Sequence, residues 1–257
     1  MKAIKSVIFA ISALVFSAVV ALLLLPGLML PRQRFQQLAA FWCHGLIVLL
    51  RLCCGLRWKL VGGAHLPAGR SIIAAKHQSA WDTLIFHVLL RDPVYVLKRE
   101  LLAIPLMGWY LRKAGNIAID RSAGSRALRM MQRAVDQALA EDSTIIIFPE
   151  GTRTAPGAPP SYQPGIAALY QHTEAPVVPV ALNSGLFWKR AGLPARPGII
   201  TIEILPPMPR GLKRSEFLSE LESRIEEATS RLCHQHPSDL ETSSTKPHEL
   251  DRAEGHP

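Results

Sequence analysis

Lys76-His77-Gln78-Ser79-Ala80-Trp81-Asp82-Thr83 sets an imidazole and a carboxylate five positions apart, between the apolar runs 71–75 and 84–86. An imidazole near neutral pH serves as a general base, and a carboxylate on its second ring nitrogen fixes which nitrogen carries the proton. On one straight helix, His77 and Asp82 would stand about 140° apart in azimuth, too far to meet. A strand, a turn and a helix start remove that obstacle. Ser79 is a good N-cap, and Asp82, three residues on, falls at N3, where a carboxylate reaches back to the cap. His77 then lies outside the helix, at the carboxyl end of the strand. The stretch by itself has two readings: a base with its orienting acid, or a capped helix beside a surface histidine.

Three further stretches bring reactive or anion-binding groups to strand ends. Gly115-Asn116-Ile117-Ala118-Ile119-Asp120-Arg121 delivers Arg121 to the sheet edge just before a helix start. A guanidinium there grips a phosphate bidentately, and the helix N-terminus favours the same anion; the alternative is an Asp120/Arg121 surface pair. Thr144 to Phe148 is apolar enough for a central buried strand, and Pro149-Glu150-Gly151-Thr152-Arg153 follows at its carboxyl end, where ligands of open α/β sheets bind. Glu150 and Arg153 could equally pair with each other. Pro176-Val177-Val178-Pro179-Val180-Ala181-Leu182 reads as a strand whose Pro179 demands a bulge or an edge position.

The elements that must position these groups alternate between short apolar strands and longer amphipathic helices, the pattern of an α/β domain. Strands are expected at 71–75, 94–97, 117–119, 144–148, 177–182 and 199–205. Helices are expected at Ser122–Glu141, with Leu128, Met131, Val135 and Leu139 on one face, and at Ser215–Leu232; a shorter one starts near Ile166 after Tyr162-Gln163-Pro164-Gly165. The polar stretch from His234 to Pro257 reads as a disordered tail.

The uncharged run from Ser6 to Leu30 would form a helix of about 38 Å, long enough to cross a hydrocarbon core of about 30 Å. It exceeds the apolar region of a signal peptide, so a retained anchor is expected. Phe41–Leu56 is apolar but interrupted by His44 and Arg51, which suits a helix in the interface or dipping into one leaflet. Arg32, Arg34, Arg51, Arg57 and Lys59 outnumber Lys2 and Lys5, placing the rest of the chain on the cytoplasmic side. The chain thus divides into a membrane anchor with an interfacial helix at 1–57, a catalytic domain at 58–233 and a tail at 234–257.

With 29 Lys and Arg against 20 Asp and Glu, the net charge is +9. That balance suits nucleic acid, an anionic membrane surface or a phosphorylated substrate, and by itself selects none of them. No nucleic-acid signature, zinc spacing or Gly-rich phosphate loop accompanies it, so neither a nucleic-acid partner nor a metal is expected. The four cysteines show no paired spacing, as in a reducing compartment. A lipid hydrolase using Ser79 would need a Gly-x-Ser-x-Gly elbow, which the chain lacks.

Taken in order, these blocks resemble the lysophospholipid acyltransferase family typified by bacterial 1-acyl-glycerol-3-phosphate acyltransferases. His77 and Asp82 match its His-x4-Asp hallmark, and Gly115, Asp120 and Arg121 match its Gly…Asp-Arg block. Phe148 to Arg153 match its Phe-Pro-Glu-Gly-Thr-Arg, Val178 to Val180 its Val-Pro-Val, and Lys98 to Leu101 with Ile104-Pro105 and Gly108-Trp109 also look familial. The agreement spans about residues 58 to 205. Lys76 stands where many members have Asn, and Gln163 where many have Lys.

The resemblance implies an α/β fold with a mixed central sheet flanked by helices and N-terminal membrane-anchoring helices. It implies acyl transfer from acyl-CoA or acyl carrier protein, used as co-substrate without a cofactor, to the hydroxyl of 1-acyl-sn-glycerol-3-phosphate, forming phosphatidic acid; another lysolipid is the alternative acceptor. His77 would be the base and Asp82 its partner. Arg121, Glu150, Gly151 and Arg153 would hold the acceptor, with Thr152 supporting their loop. The place implied is a bacterial-type inner membrane, with the catalytic domain facing the cytoplasm.

Overall fold

The computed structural model describes residues 2–120, 123–189, 192–193 and 196–235. Arg121 and the tail beyond Gln235 therefore lie outside the described residues.

Seven strands form one mixed sheet: β1 (Leu56–Val61), β2 (Ser71–Ala75), β3 (Pro93–Lys98), β4 (Ile117–Ile119), β5 (Thr144–Ile147), β6 (Val177–Leu182) and β7 (Gly198–Ile204). Their order is β1-β7-β6-β2-β5-β3-β4, and β6–β7 is the antiparallel pair. β1, absent from the expected strands and straddling the expected boundary between the anchor at 1–57 and the domain at 58–233, pairs parallel with β7. In the central strands β2, β5 and β6 every residue is buried, because helices cover both faces.

Strand alternation sends side chains to two cores. Ile73, Ala75, Ile146, Val178 and Val180 face α2 (Arg32–Cys54) and α3 (Trp81–Leu89); Ile72, Ala74, Ile145 and Val177 face α5 (Gly124–Ala140), α6 (Gly165–His172) and α7 (Arg214–His234). The face of α5 carries Met131, Val135 and Leu139 inward, as its period requires, and Leu128 packs at the margin. α4 (Met107–Lys113) lies between β3 and β4.

The proline in β6 sits neither at an edge nor in a bulge of its own strand. The register with β2 is unbroken from Val177 to Val180, and the extra residue lies on the opposing stretch that follows β7. β6 is flanked by β2 and β7, and its ladder with β7 is regular from Val180 to Leu182. Past that point the Pro179 carbonyl accepts from Leu205 N, and Val177 from Met208 N. Pro206 and Pro207, which lie between those two donors, have no N–H of their own. Prolines on both strands thus face one another where the ladder breaks.

The N-terminal region differs from the expected single long helix. α1 (Lys2–Leu23) stops earlier, because Pro26-Gly27 diverts the chain into a 3-10 turn at Leu25–Met29. α2 then starts at Arg32 and not near Phe41, which makes it 23 residues long. Both helices are long and apolar enough to cross a membrane. They form a hairpin: Trp42 Nε1 donates to Ser17 Oγ at 3.0 Å, and Gly45 sits so close to Phe16 that a Cβ would lie 2.3 Å from the ring.

The hairpin is fastened to the sheet domain. Cys43, Leu46, Ile47, Leu50 and Cys54 of α2 join the core. Gln36 Nε2 donates to the Pro93 and Ala114 carbonyls at 3.0 Å each, and Arg32 grips Asp92 bidentately at 2.9 and 2.6 Å. From α1, Phe9 meets Trp188 edge-to-face at 5.8 Å, while its outward residues Ile4, Ile8, Ile11, Val15 and Leu22 remain exposed.

Candidate active site

β2 ends at Ala75, and its path continues one residue further, with Lys76 N donating to Val180 O at 2.9 Å. His77 follows at the carboxyl end of this central strand. Its Nδ1 lies 3.0 Å from Asp82 Oδ2. A carboxylate oxygen only accepts, so the proton belongs on Nδ1 and Nε2 keeps a free lone pair. The ring stacks on Phe148, with centroids 3.9 Å apart and planes 17° from parallel, which fixes its tilt.

Asp82 is the hub of the turn. Its Oδ2 also accepts Gln78 N at 2.6 Å and Ser79 N at 2.8 Å; its Oδ1 accepts Ser79 Oγ at 3.1 Å and Ser184 Oγ at 2.5 Å. α3 starts one residue later than the capping pattern suggests, with Ala80 as its flanking residue, yet Ser79 Oγ still accepts Trp81 N at 3.1 Å. Both proposed roles of Asp82, reaching back to the cap and orienting the imidazole, are therefore present in one carboxylate. Ser79 is fully buried with its hydroxyl committed on both sides, so it makes no nucleophile.

The loop after β5 clamps the backbone of His77. Glu150 Oε2 accepts His77 N at 3.0 Å, and Thr154 N donates to His77 O at 2.8 Å. Glu150, expected to touch the acceptor, is placed behind the histidine instead. It is buried, and its Oε1 is shared by Lys76 Nζ at 2.6 Å and Thr154 Oγ1 at 2.5 Å. Glu150 lies past the end of β5, so its direction is set by its partners Lys76, Thr154 and the His77 N–H and not by the strand's alternation; the residues after it turn toward the cavity. Gly151, at a left-handed φ of 68°, makes that turn, with its N–H donating to Phe148 O at 2.9 Å.

Gly151, Thr152 and Arg153 line a cavity of about 840 Å³ together with His77. The cavity runs between the sheet domain and the hairpin, so Leu14, Ala18, Ala21, Phe35 and Trp42 give it an apolar wall. Lys98 and Arg153 supply its cations. Such a space, greasy along its length and cationic beside a base with a free lone pair, can hold an acyl chain and an anionic head while a hydroxyl loses its proton. His87 of α3 also borders it. Its Nδ1 is buried without a partner, and burial pushes its pKa down to about 4, with Asp92 pulling weakly the other way. Near neutral pH His87 is therefore uncharged. Burial holds the Tyr95 phenol well above its ordinary value, and it donates to Thr83 O at 2.8 Å.

The sequence model of the family described as Acyltransferase matches residues 57–183. The 1-acyl-sn-glycerol-3-phosphate acyltransferase of Pseudomonas aeruginosa is 35% identical over 218 residues, 80% of this chain and 85% of that protein. The chain belongs to the acyltransferase family. The 1-acyl-sn-glycerol-3-phosphate acyltransferase of the plant Limnanthes douglasii is 32% identical over 209 residues, covering 78% of this acyltransferase and 72% of its relative. In fold, the chain is similar to the 1-acyl-sn-glycerophosphate acyltransferase of Thermotoga maritima, at a TM-score of 0.73 and 21% identity; the match covers 90% of this chain and 99% of that one.

Of the residues expected at the site of this acyltransferase, His77, Gly151, Thr152 and Arg153 come together around the cavity, while Asp82 and Glu150 stand behind it, each bonded to His77. Asp120 pairs with Arg99 at 3.1 Å and does not line this cavity, and Glu150, which could have paired with Arg153, pairs with Lys76 at 2.6 Å. Sequence reasoning did not pick out Phe148 as the stacking partner, Ser184 as the second hydroxyl on Asp82, Lys98 as a cavity cation, or Glu226. Lys98 and Phe148 carried a signal, each as the first residue of a block that looked familial. Ser184 is 102 residues from Asp82 and Glu226 is 150 from Lys76, so spacing along the chain could not reveal either contact.

Proposed function

We propose that the acyltransferase moves a fatty acyl group from a thioester donor to the free hydroxyl of 1-acyl-sn-glycerol-3-phosphate, forming phosphatidic acid. The observation that carries this reading is the His77–Asp82 pair, bordering a cavity that is apolar against α1 and α2 and cationic at Lys98 and Arg153. The names of the relatives support the same acceptor.

His77 Nε2 takes the proton of the acceptor hydroxyl as that oxygen attacks the thioester carbonyl, and Asp82 stabilises the imidazolium. The tetrahedral adduct then expels the thiolate, which takes the proton back from Nε2, leaving an ester and a free thiol. A thioester is already activated, so no acyl-enzyme is required. Lys98, Arg121 and Arg153 hold the phosphate, and backbone at Gly151 and Thr152 shapes the approach to the glycerol. Glu150 acts through the backbone of His77. The donor is acyl-CoA or acyl carrier protein, both anionic and suited to a chain of net charge +9.

The exposed apolar face of α1 supports a hairpin seated in lipid; on this reading the sheet domain lies on the cytoplasmic side of an inner membrane and the cavity opens toward the bilayer. Acceptor and product both reside there, since each buried methylene contributes about 0.8 kcal/mol to residence in lipid.

Purified protein, offered a panel of lysolipid acceptors with both donor types and analysed by mass spectrometry of the products, tests this reading. Phosphatidic acid as the dominant product is expected. Preferential acylation of a different lysolipid would replace the acceptor, and free fatty acid without acylated lipid would make the protein a hydrolase.

A further inference from the structure

Beside the catalytic pair, outside the cavity lining, lies a charge cluster that the reaction does not use, buried at Lys76 and Glu150 and a quarter exposed at Glu226. Lys76 is 2% exposed, and its Nζ stands 2.6 Å from Glu150 Oε1 and 2.7 and 2.9 Å from the two oxygens of Glu226. Tyr162 OH donates to Glu226 Oε1 at 3.0 Å, and burial together with Glu226 keeps that phenol protonated. One lysine against two glutamates leaves a net charge of −1. The cluster joins three parts of the chain: the end of β2, the Glu150 loop and α7, whose Glu226 sits between the core residues Ile225 and Ala228.

A buried ion cluster of this kind is poor at stabilising a fold, because desolvating the charges offsets most of their attraction. What it does supply is geometry. The Glu150 oxygen not bound to Lys76 accepts the backbone N–H of His77, so the lysine, together with Thr154 Oγ1 on the same oxygen, sets where that carboxylate stands, and the carboxylate sets where His77 stands.

We propose that Lys76 is a positioning residue for the base: bridging Glu150 and Glu226, it makes helix α7 part of the frame that aims the imidazole of His77. The inference rests on His77 being the base of acyl transfer. Without the cation, two carboxylates that now share one ammonium face each other unscreened and separate. Glu150 then leaves the His77 N–H, and the ring loses its registration with the acceptor hydroxyl. Misplacement by about 1 Å is enough to cost on the order of 100-fold in rate.

The test measures kcat and the KM of each substrate for Lys76→Met, Lys76→Met/Glu226→Gln and Ile225→Ala, normalised to wild-type turnover and read below each variant's Tm. Lys76→Met keeps the side-chain length and loses the charge; kcat should fall by about 30-fold or more while both KM values stay within about twofold. The double variant restores the wild-type net charge and offers Glu150 an amide donor, so kcat should recover to within about fivefold of wild type. Ile225→Ala opens a cavity in the same helix and lowers Tm while leaving kcat near wild type.

A Lys76→Met enzyme within about threefold of wild-type kcat would reduce the cluster to packing, a raised KM would place Lys76 on the substrate, and a double variant no better than the single would remove the charge argument. Each of these outcomes overturns the proposal. Should Lys76→Met not fold, Glu226→Leu, which leaves a neutral Lys76–Glu150 pair, should still lower kcat about fivefold or more at unchanged KM, and an unaltered kcat refutes the part played by α7. A wild-type protein without transferase activity would refute the proposed reaction and leave no turnover to normalise, an outcome distinct from all of these.

Discussion

Replacing Asp82 by asparagine separates the charge of this carboxylate from its shape. In the variant, the amide oxygen can take the place of Oδ2 and accept from His77 Nδ1, Gln78 N and Ser79 N. The amide NH2 then faces the hydroxyls of Ser79 and Ser184, which can turn to accept it. The turn therefore survives. A charge-assisted hydrogen bond is stronger than a neutral one by about 1 kcal/mol, and three are weakened, but burying one charge fewer offsets part of this; stability should fall by about 1 to 3 kcal/mol. The chemical step suffers more. A carboxylate 3.0 Å from the imidazole stabilises imidazolium by about 5 kcal/mol at an effective dielectric of about 20. At 1.36 kcal/mol per tenfold, most of that energy corresponds to a loss of about 10³ to 10⁴ in kcat. Asp82 is fully buried and outside the cavity lining, so both KM values should hold within about twofold. Release of free thiol from the donor, followed in steady state, reports kcat and KM together. A variant within about tenfold of wild-type kcat, or one impaired in KM alone, would refute the role given to the carboxylate.

His77→Ala should abolish acyl transfer while leaving circular dichroism and Tm close to wild type; normal turnover would end its assignment as the base. Arg153→Ala, and Arg121→Ala likewise, should raise the acceptor KM about tenfold with little change toward the thioester, since each charge-assisted contact to phosphate contributes about 1.5 to 3 kcal/mol. An effect confined to the donor would reverse the placement of the phosphate. His87 makes a prediction in pH. Its folded pKa of about 4 lies below the unfolded 6.5, so its contribution to stability is complete above pH 6.5 and is lost as pH falls toward 4, about 3 kcal/mol in all. Urea unfolding of His87→Leu between pH 7 and 4.5 should therefore show a flatter acid slope than wild type, and an unchanged slope would assign the loss to another group.

Much of the fold was legible because burial on both faces and helical periodicity leave strong local marks. β2, β4 and β6 have the expected bounds, and β5 ends one residue early only because Phe148 leaves the ladder to stack on His77. β1 was missed: Arg57 and Lys59 alternate with Leu56, Trp58 and Leu60 on an edge strand, and a charged apolar alternation beside a hydrophobic run reads as the end of that run. The start of α2 was missed for a related reason. Arg32 and Arg34 look like a boundary, yet Arg32 belongs to the helix because Asp92, 60 residues later, neutralises it.

At the site, the imidazole and its acid were readable because both sit in one turn, where spacing converts directly into distance. Alternation along the chain could not say whether Glu150 faces substrate or protein, since that depends on which side of the strand end the cavity opens.

By itself, the sequence determined the chemistry within reach: a histidine and an aspartate held by one turn, arginines at strand ends, a sheet too apolar to be exposed on either face, and a helix long enough to enter lipid. These are local properties, set by propensity, period and spacing. Only the tertiary structure decided that α1 and α2 wall the cavity, that Glu150 turns its back on it, and that Lys76 and Glu226 meet 150 residues apart behind the base. Those outcomes come from the parallel pairing of β2 with β5 and β6 and from the packing of helices on the two faces of the sheet, which bring together side chains whose separation along the chain carries no trace of their contact.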